Sequence, residues 1–337
     1  MDSSPASTVV RSRLVESFLR SRVSGVVAFL AVLWVVFSIL APRFMQVDNF
    51  IIIGFNSSIL VIAVCAETIV LLTRNFDLSI GSIMGLVGYL AADTAAKNHD
   101  IGPALILLAL GVGAVLGLVN GLLVGYGRIP SIIATLGTLS VFRGLTYLYA
   151  GGLEVTSYEL PSWMLASVDL RLFGVPILVF VAIFVVAVVA TFLNSWPIGR
   201  RVRAVGSSPT TAYYYGIRPV RVVVVAYTLC GLFGGLAGYI YAAHIGTVTV
   251  VLASGWELTT LAAAVIGGVS TMGGSGSIVG AALGAVVLAT VDNGLILLNV
   301  AEYWRLLVQG GAIVLAVTVD AALSGRARAG SRRLLAP

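Results

Sequence analysis

The chain has 337 residues, of which 59% are hydrophobic and only 10% charged. A soluble fold cannot hide so much apolar surface behind so few charges, and a disordered chain is polar, so the bilayer is the solvent that fits. The formal charge of +6 could suit a nucleic-acid binder, but the placement of the basic residues gives it another meaning, and Cys65 and Cys230 lie inside apolar runs, which excludes a disulfide scaffold.

A membrane helix needs about 20 mainly apolar residues. Residues 1–22 read as a tail, and ten apolar runs follow, over 23–40, 50–72, 78–96, 104–124, 131–150, 174–194, 220–243, 258–272, 278–300 and 305–323. The expectation is an all-α integral membrane protein of about ten transmembrane helices, with one domain over 23–323 and a second tail over 324–337. The third, fifth and eighth runs are short, Gly-broken or charged, so discontinuous or re-entrant helices are an alternative there. The first run, 18 residues long, is too long for a signal-peptide core, and the residues around Ala41 make a poor cleavage site, so it reads as a retained span.

The arginines set the orientation. Arg11, Arg13, Arg20 and Arg22 precede the first run, which places that end in the cytoplasm. Threading ten spans then puts 15 of the 20 Lys and Arg residues on the cytoplasmic side, with both termini there. Lys97 is the single lysine, and no glycine-rich loop precedes it, so a phosphate-binding loop is excluded. His99 and His244 have no cysteine or carboxylate at ligand spacing, so no metal site is expected. No hydrolase elbow or other catalytic set occurs either, so the chain is not read as an enzyme.

Glycines recur four apart, as in Gly81 and Gly85, in Gly113, Gly117 and Gly121, in Gly231 and Gly235, and in Gly276, Gly280 and Gly284. That period lets helix backbones approach closely; the plain reading is packing, the sharper one a sliding contact. Asp77 suits a helix N-cap ahead of Leu78. The polar groups Asp77, Asn120, Arg143 and Asn293 fall in or beside apolar runs, where such groups are costly and usually functional or paired. Glu67, Arg143 and Asp292 lie within spans, which opens an ion- or proton-coupled secondary transporter as the alternative function.

Between the sixth and seventh runs lies a cytoplasmic loop, 195–219. Ser208 and Pro209 form a helix start, and Gly216 a stop. A short helix over 209–215 is therefore predicted, carrying Tyr213, Tyr214 and Tyr215, which suit a protein interface. On the other side, Glu154, Glu159 and Asp169 make the 151–173 connection acidic. Its two dozen residues are too few for a ligand-binding domain.

Several motifs in order carry a resemblance: Asp77-Leu78-Ser79 with Gly81 and Ser82, Pro130 with Ala134 to Gly137, Gly267-Gly268 before Gly273-Gly274, and Asn293-Gly294-Leu295. Together they resemble the permease subunit of monosaccharide-type ATP-binding-cassette importers, the ribose permease family, over about residues 50–320. A rhamnose-type or autoinducer-2-type subgroup fits as well as a ribose one. Arg74 and Asn75 stand where that family usually has two glycines, and Glu67 where it has an apolar residue.

The resemblance implies a multi-pass protein of the bacterial inner membrane that moves a monosaccharide or similar polyol inward by alternating access. It implies cytoplasmic ATPase subunits holding ATP and magnesium, with no cofactor in this chain, and an extracytoplasmic solute-binding protein. It also implies a second permease copy or paralogue. The substrate path is expected at Asp77, Asn120, Arg143 and Asn293. ATPase coupling is expected at Arg203, Ser208, Pro209, Ala212, Tyr213 and Gly216, and binding-protein docking at Glu154 and Glu257.

Overall fold

The computed structural model describes residues 22–312, 314 and 318. The expected tails over 1–21 and 324–337, and the end of the 305–323 run, lie outside the described residues. The order is α1 (Arg22–Leu40), α2 (Val47–Leu71), α3 (Ile80–Lys97), α4 (Ala104–Gly125), α5 (Ser131–Ala150) and α6 (Ser162–Asp169). A two-residue hairpin follows, β1 (Arg171–Leu172) antiparallel to β2 (Val175–Pro176). Then come α7 (Ile177–Ser195), α8 (Pro197–Ser207), α9 (Pro209–Tyr214), α10 (Pro219–Ile245), α11 (Trp256–Ile266), α12 (Ile278–Leu297) and a last helical stretch, α13, over 302–312.

Seven of these, α1, α2, α4, α5, α7, α10 and α12, are long and apolar enough to cross a membrane. The fifth run is thus an unbroken helix. The third and eighth differ from the seven. Run 78–96 becomes α3, whose 18 residues include Asp93, Thr94 and Lys97. Run 258–272 yields only the 11 residues of α11, about 16 Å of helix and half a hydrocarbon core. The stretch 246–255 before it is irregular.

The centre is α2 and α10. From Ser57 to Leu71 every residue of α2 is buried. The outer helices reverse the usual pattern, with Ile39, Leu107, Leu148 and Phe184 turned outward, as a lipid-facing surface requires. The glycine periods mark real close approaches. A Cβ on Gly117 would strike the Tyr227 carbonyl and come within 2.9 Å of the Gly231 Cα, so α4 and α10 touch backbone to backbone. Gly267, Gly280 and Gly284 do the same where α11 meets α12. Gly81 and Gly85 instead face the irregular stretch. A Cβ on Gly85 would lie 2.7 Å from the Leu252 carbonyl. Packing therefore accounts for all three seams.

Candidate functional site

Three sites draw together the residues that the sequence marks as chemically active. The first is a sealed polar knot at the break between α2 and α3. Asp77 Oδ1 accepts from the Ser79 amide at 2.9 Å and from the Ser79 hydroxyl at 2.6 Å. Asn120, reaching across from α4, donates to Ser79 Oγ at 2.7 Å and lies 3.5 Å from Asp77 Oδ1. The Asp77 amide donates to Glu67 Oε1 at 3.2 Å. Phe76 is held at both ends, its amide by Ser131 Oγ at 3.3 Å and its carbonyl by the Tyr227 hydroxyl at 2.7 Å. Glu67, Asp77, Ser79 and Asn120 are all buried. The Asp77 carboxylate does accept a backbone amide as a cap would. The helix, however, begins at Ile80, two residues later than the expected start, because Leu78 and Ser79 form a turn around that carboxylate.

The expected substrate path does not converge on this knot. Asp77 and Asn120 meet, but Arg143 lies elsewhere: its Nη1 donates to the Val250 and Leu252 carbonyls at 3.0 and 2.9 Å. It therefore satisfies the unwound backbone of 246–255, the kind of irregular stretch that needs protein partners inside a membrane. Asn293 is buried on α12, next to Gly294, whose backbone packs against the Phe37 ring of α1. Glu257, half-buried, packs against Gly81 at the start of α3. Glu154 is exposed. Nearby, the Thr156 amide and hydroxyl bind Glu159 at 2.7 and 2.9 Å and hold its carboxyl below the usual range.

The second site is the 195–219 loop. Ser208 Oγ accepts from the Thr211 amide at 3.2 Å, and Pro209 takes the first helical position, as the sequence predicts. Gly216, at φ +79°, ends the helix. Its amide reaches the Tyr213 carbonyl, and the Ile217 amide that of Ala212, at 2.9 and 3.0 Å, a Schellman closure. Ala212 is buried, whereas Tyr213, Tyr214 and Tyr215 are 66%, 82% and 83% exposed. The sequence reading missed α8, although Pro197 after Trp196 repeats the proline start that marks α9. Arg200 and Arg201 on α8 are exposed. Arg203 is turned inward: it donates to the Gly276 carbonyl at 2.9 Å and to Asn194 Oδ1 at 3.2 Å. It thereby ties α8 to the 267–277 turn and to the end of α7. The end of α8 also wedges between the 72–79 turn and the 267–277 turn. A Cβ on Gly206 would strike the Leu72 carbonyl and come 2.5 Å from the Gly274 amide, and that amide donates to Leu72 at 3.1 Å.

The third site, a cavity beside α11, was not anticipated. It is lined by Tyr241, Trp256, Asp292 and Arg305 among others. The sequence marks Asp292 as an intramembrane charge, and the structure gives it Arg305, 13 residues on, as its partner. Among the described residues, no group of three His, Cys, Asp or Glu side chains is arranged for a metal ion.

Seven apolar helices long enough to cross a membrane, packed around irregular breaks, define a multi-pass membrane protein. The family described as "Branched-chain amino acid transport system / permease component" matches residues 49–317. The Autoinducer 2 import system permease protein LsrC of Escherichia coli O9:H4 (strain HS) is 34% identical over 312 residues, 92% of this chain and 89% of that protein. The LsrC of Enterobacter sp. (strain 638) is 36% identical over 304 residues, 89% and 86% of the two chains. The Ribose import permease protein RbsC of Escherichia coli (strain K12) is 34% identical over 296 residues, 86% and 91%. No solved structure matches. The chain belongs to this permease family and is a transmembrane subunit of an ATP-binding-cassette importer of the bacterial inner membrane, not itself an enzyme.

Proposed function

We propose that the chain carries a monosaccharide or similar small polyol into the cytoplasm by alternating access, driven by a separate ATPase that holds ATP and magnesium. Relatives named for ribose and autoinducer 2 import support this solute class. A loaded binding protein docks on the face that bears Glu154, the 151–176 connection lies outside, and a second copy or paralogue completes the path. The observation that carries the coupling is the placement of α8 and α9. Exposed tyrosines on α9 offer a docking surface, while Gly206 and Arg203 on α8 bear on Leu72, Gly274 and Gly276. A push on α9 therefore reaches two turns at once, 72–79 and 267–277. Rigid levers acting on discontinuous helices are how such folds alternate.

The secondary-transporter reading needs Glu67, Arg143 and Asp292 in succession. Each instead has its own partners: Glu67 the Asp77 amide, Arg143 two carbonyls, and Asp292 the Arg305 guanidinium. That separation favours the ATP-driven reading. The test is Ala212→Pro, which removes the amide donated to the Ser208 carbonyl at 2.9 Å and breaks α9 at a buried position. The variant is expected to insert in the membrane yet fail to pull down the ATPase. Normal pull-down would show that α9 does not dock the motor.

A further inference from the structure

The cavity beside α11 has a volume of about 400 Å³ and lies between α2, α10, α11, α12 and α13, within the range of small-molecule sites. None of Asp77, Asn120, Arg143 and Asn293 lines it. Its wall combines two chemistries. Tyr241 and Trp256 stand with ring centroids 4.7 Å apart and planes tilted by 37°. Beside them, Arg305 Nη1 donates to Asp292 Oδ1 at 2.8 Å across the turn between α12 and α13. This ion pair is not sealed, since its side chains are 23% and 41% exposed for Arg305 and Asp292. Asn56 and Glu302 add further polar groups to the lining.

We infer that this cavity is a subsite for the transported solute and that its chemistry selects a neutral polyhydroxylated ring; the inference rests on the importer reading above. A sugar ring offers a face of C–H groups and a rim of hydroxyls. The C–H face packs on an aromatic pair, and each hydroxyl both donates and accepts. A carboxylate beside a guanidinium supplies acceptor and donors side by side, so neighbouring hydroxyls are satisfied together. A purely apolar solute would leave the polar lining unmatched. An anion would meet Asp292 and Glu302. A zwitterionic amino acid needs charges that are free to pair, and here Asp292 and Arg305 already neutralise each other.

Position supports the same assignment. Trp256 is the first residue of α11, directly after the 246–255 break and Gly255 at φ +86°. Transporter sites gather where half-helices end inside the bundle, because unwound backbone is tolerated only along a cavity or against protein. A shift of that break moves the aromatic wall relative to Asp292 on α12, so binding and conformational change share one joint.

The experiment reconstitutes the permease in proteoliposomes with its ATPase and binding protein and counts labelled D-ribose imported per ATP hydrolysed. Trp256→Leu removes the aromatic wall. The double variant Asp292→Asn with Arg305→Gln removes both charges together, so neither is left buried and unpaired. Each is expected to lower the ratio about tenfold, the worth of one strong polar contact, and Trp256→Phe to retain most of it. Misfolding or lost docking would lower transport and hydrolysis together and leave the ratio in place. Should either variant fail to assemble, Thr259→Cys leaves both walls intact and is open to a small methanethiosulfonate, while Cys65 and Cys230 are buried. Millimolar D-ribose should slow that labelling. A wild type that imports ribose while the variants keep its ratio, or labelling unchanged by ribose, would overturn the subsite and leave the importer reading standing. A wild type that imports L-leucine but no aldopentose or aldohexose would overturn both.

Discussion

Two breaks in the helical bundle, at 72–79 and at 246–255, solve one problem in different ways. Each follows one of the two longest helices, α2 with 25 residues and α10 with 27, and each leaves peptide groups without helical partners inside an apolar bundle. At 72–79 the chain closes on its own side chains, with Asp77, Ser79, Asn120, Ser131 and Tyr227 taking up the turn. At 246–255 Val248 pairs with Val155 through two backbone bonds and two further carbonyls rest on the guanidinium of Arg143, Val251 and Ser254 remain exposed, and the stretch runs into the cavity wall at Trp256. The first break behaves as a fastener and the second as a joint. Side chains from several elements brace the first break, whereas the second rests on Arg143 and one backbone pair, and the less braced stretch is the one that opens more readily.

The comparison can be broken most severely at the seam on which both breaks depend. Gly117→Val should prevent assembly of a folded permease, because even the Cβ collides with backbone of α10; the cost is about 3 kcal/mol or more, read as loss of monodisperse protein on size-exclusion chromatography. Asn120→Leu tests the fastener. It strips Ser79 and Asp77 of a buried donor and should cost about 2–3 kcal/mol, measured by thermal unfolding in detergent, with transport per folded molecule largely retained. Arg143→Met tests the joint. Stability should fall by only about 1–2 kcal/mol, while uptake per folded molecule falls much further; equal losses in both would show that the two breaks play the same part. The smallest effect is at Arg74, which adopts φ +70° in the first turn. Arg74→Gly should raise the unfolding midpoint modestly, by relief of about 1 kcal/mol.

Run length and apolarity made the seven long spans legible, and cap chemistry at Ser208, Pro209 and Gly216 located α9 to within a residue of its end. These are local properties, written in neighbouring residues. The eighth run looked like a span because Gly267 to Met272 extends its apolar stretch, but those glycines turn the chain instead. Asp77 and Asn120 were recognisable as polar residues in apolar surroundings, yet which groups they meet is decided by the α4–α10 seam. Arg203 shows the same limit: its charge marks the cytoplasmic side, and only the folded chain reveals Gly276 as its partner. The cavity was least legible, since Asn56, Tyr241, Trp256 and Arg305 come from four separate segments with no motif among them.

The most direct test of the whole account is uptake of labelled D-ribose into proteoliposomes under three conditions: permease alone with a proton gradient, permease with ATPase and ATP, and both with a loaded binding protein. The account predicts uptake only when ATPase, ATP and binding protein are all present, and its loss in Ala212→Pro. Accumulation by the permease alone, driven by the proton gradient, would contradict it.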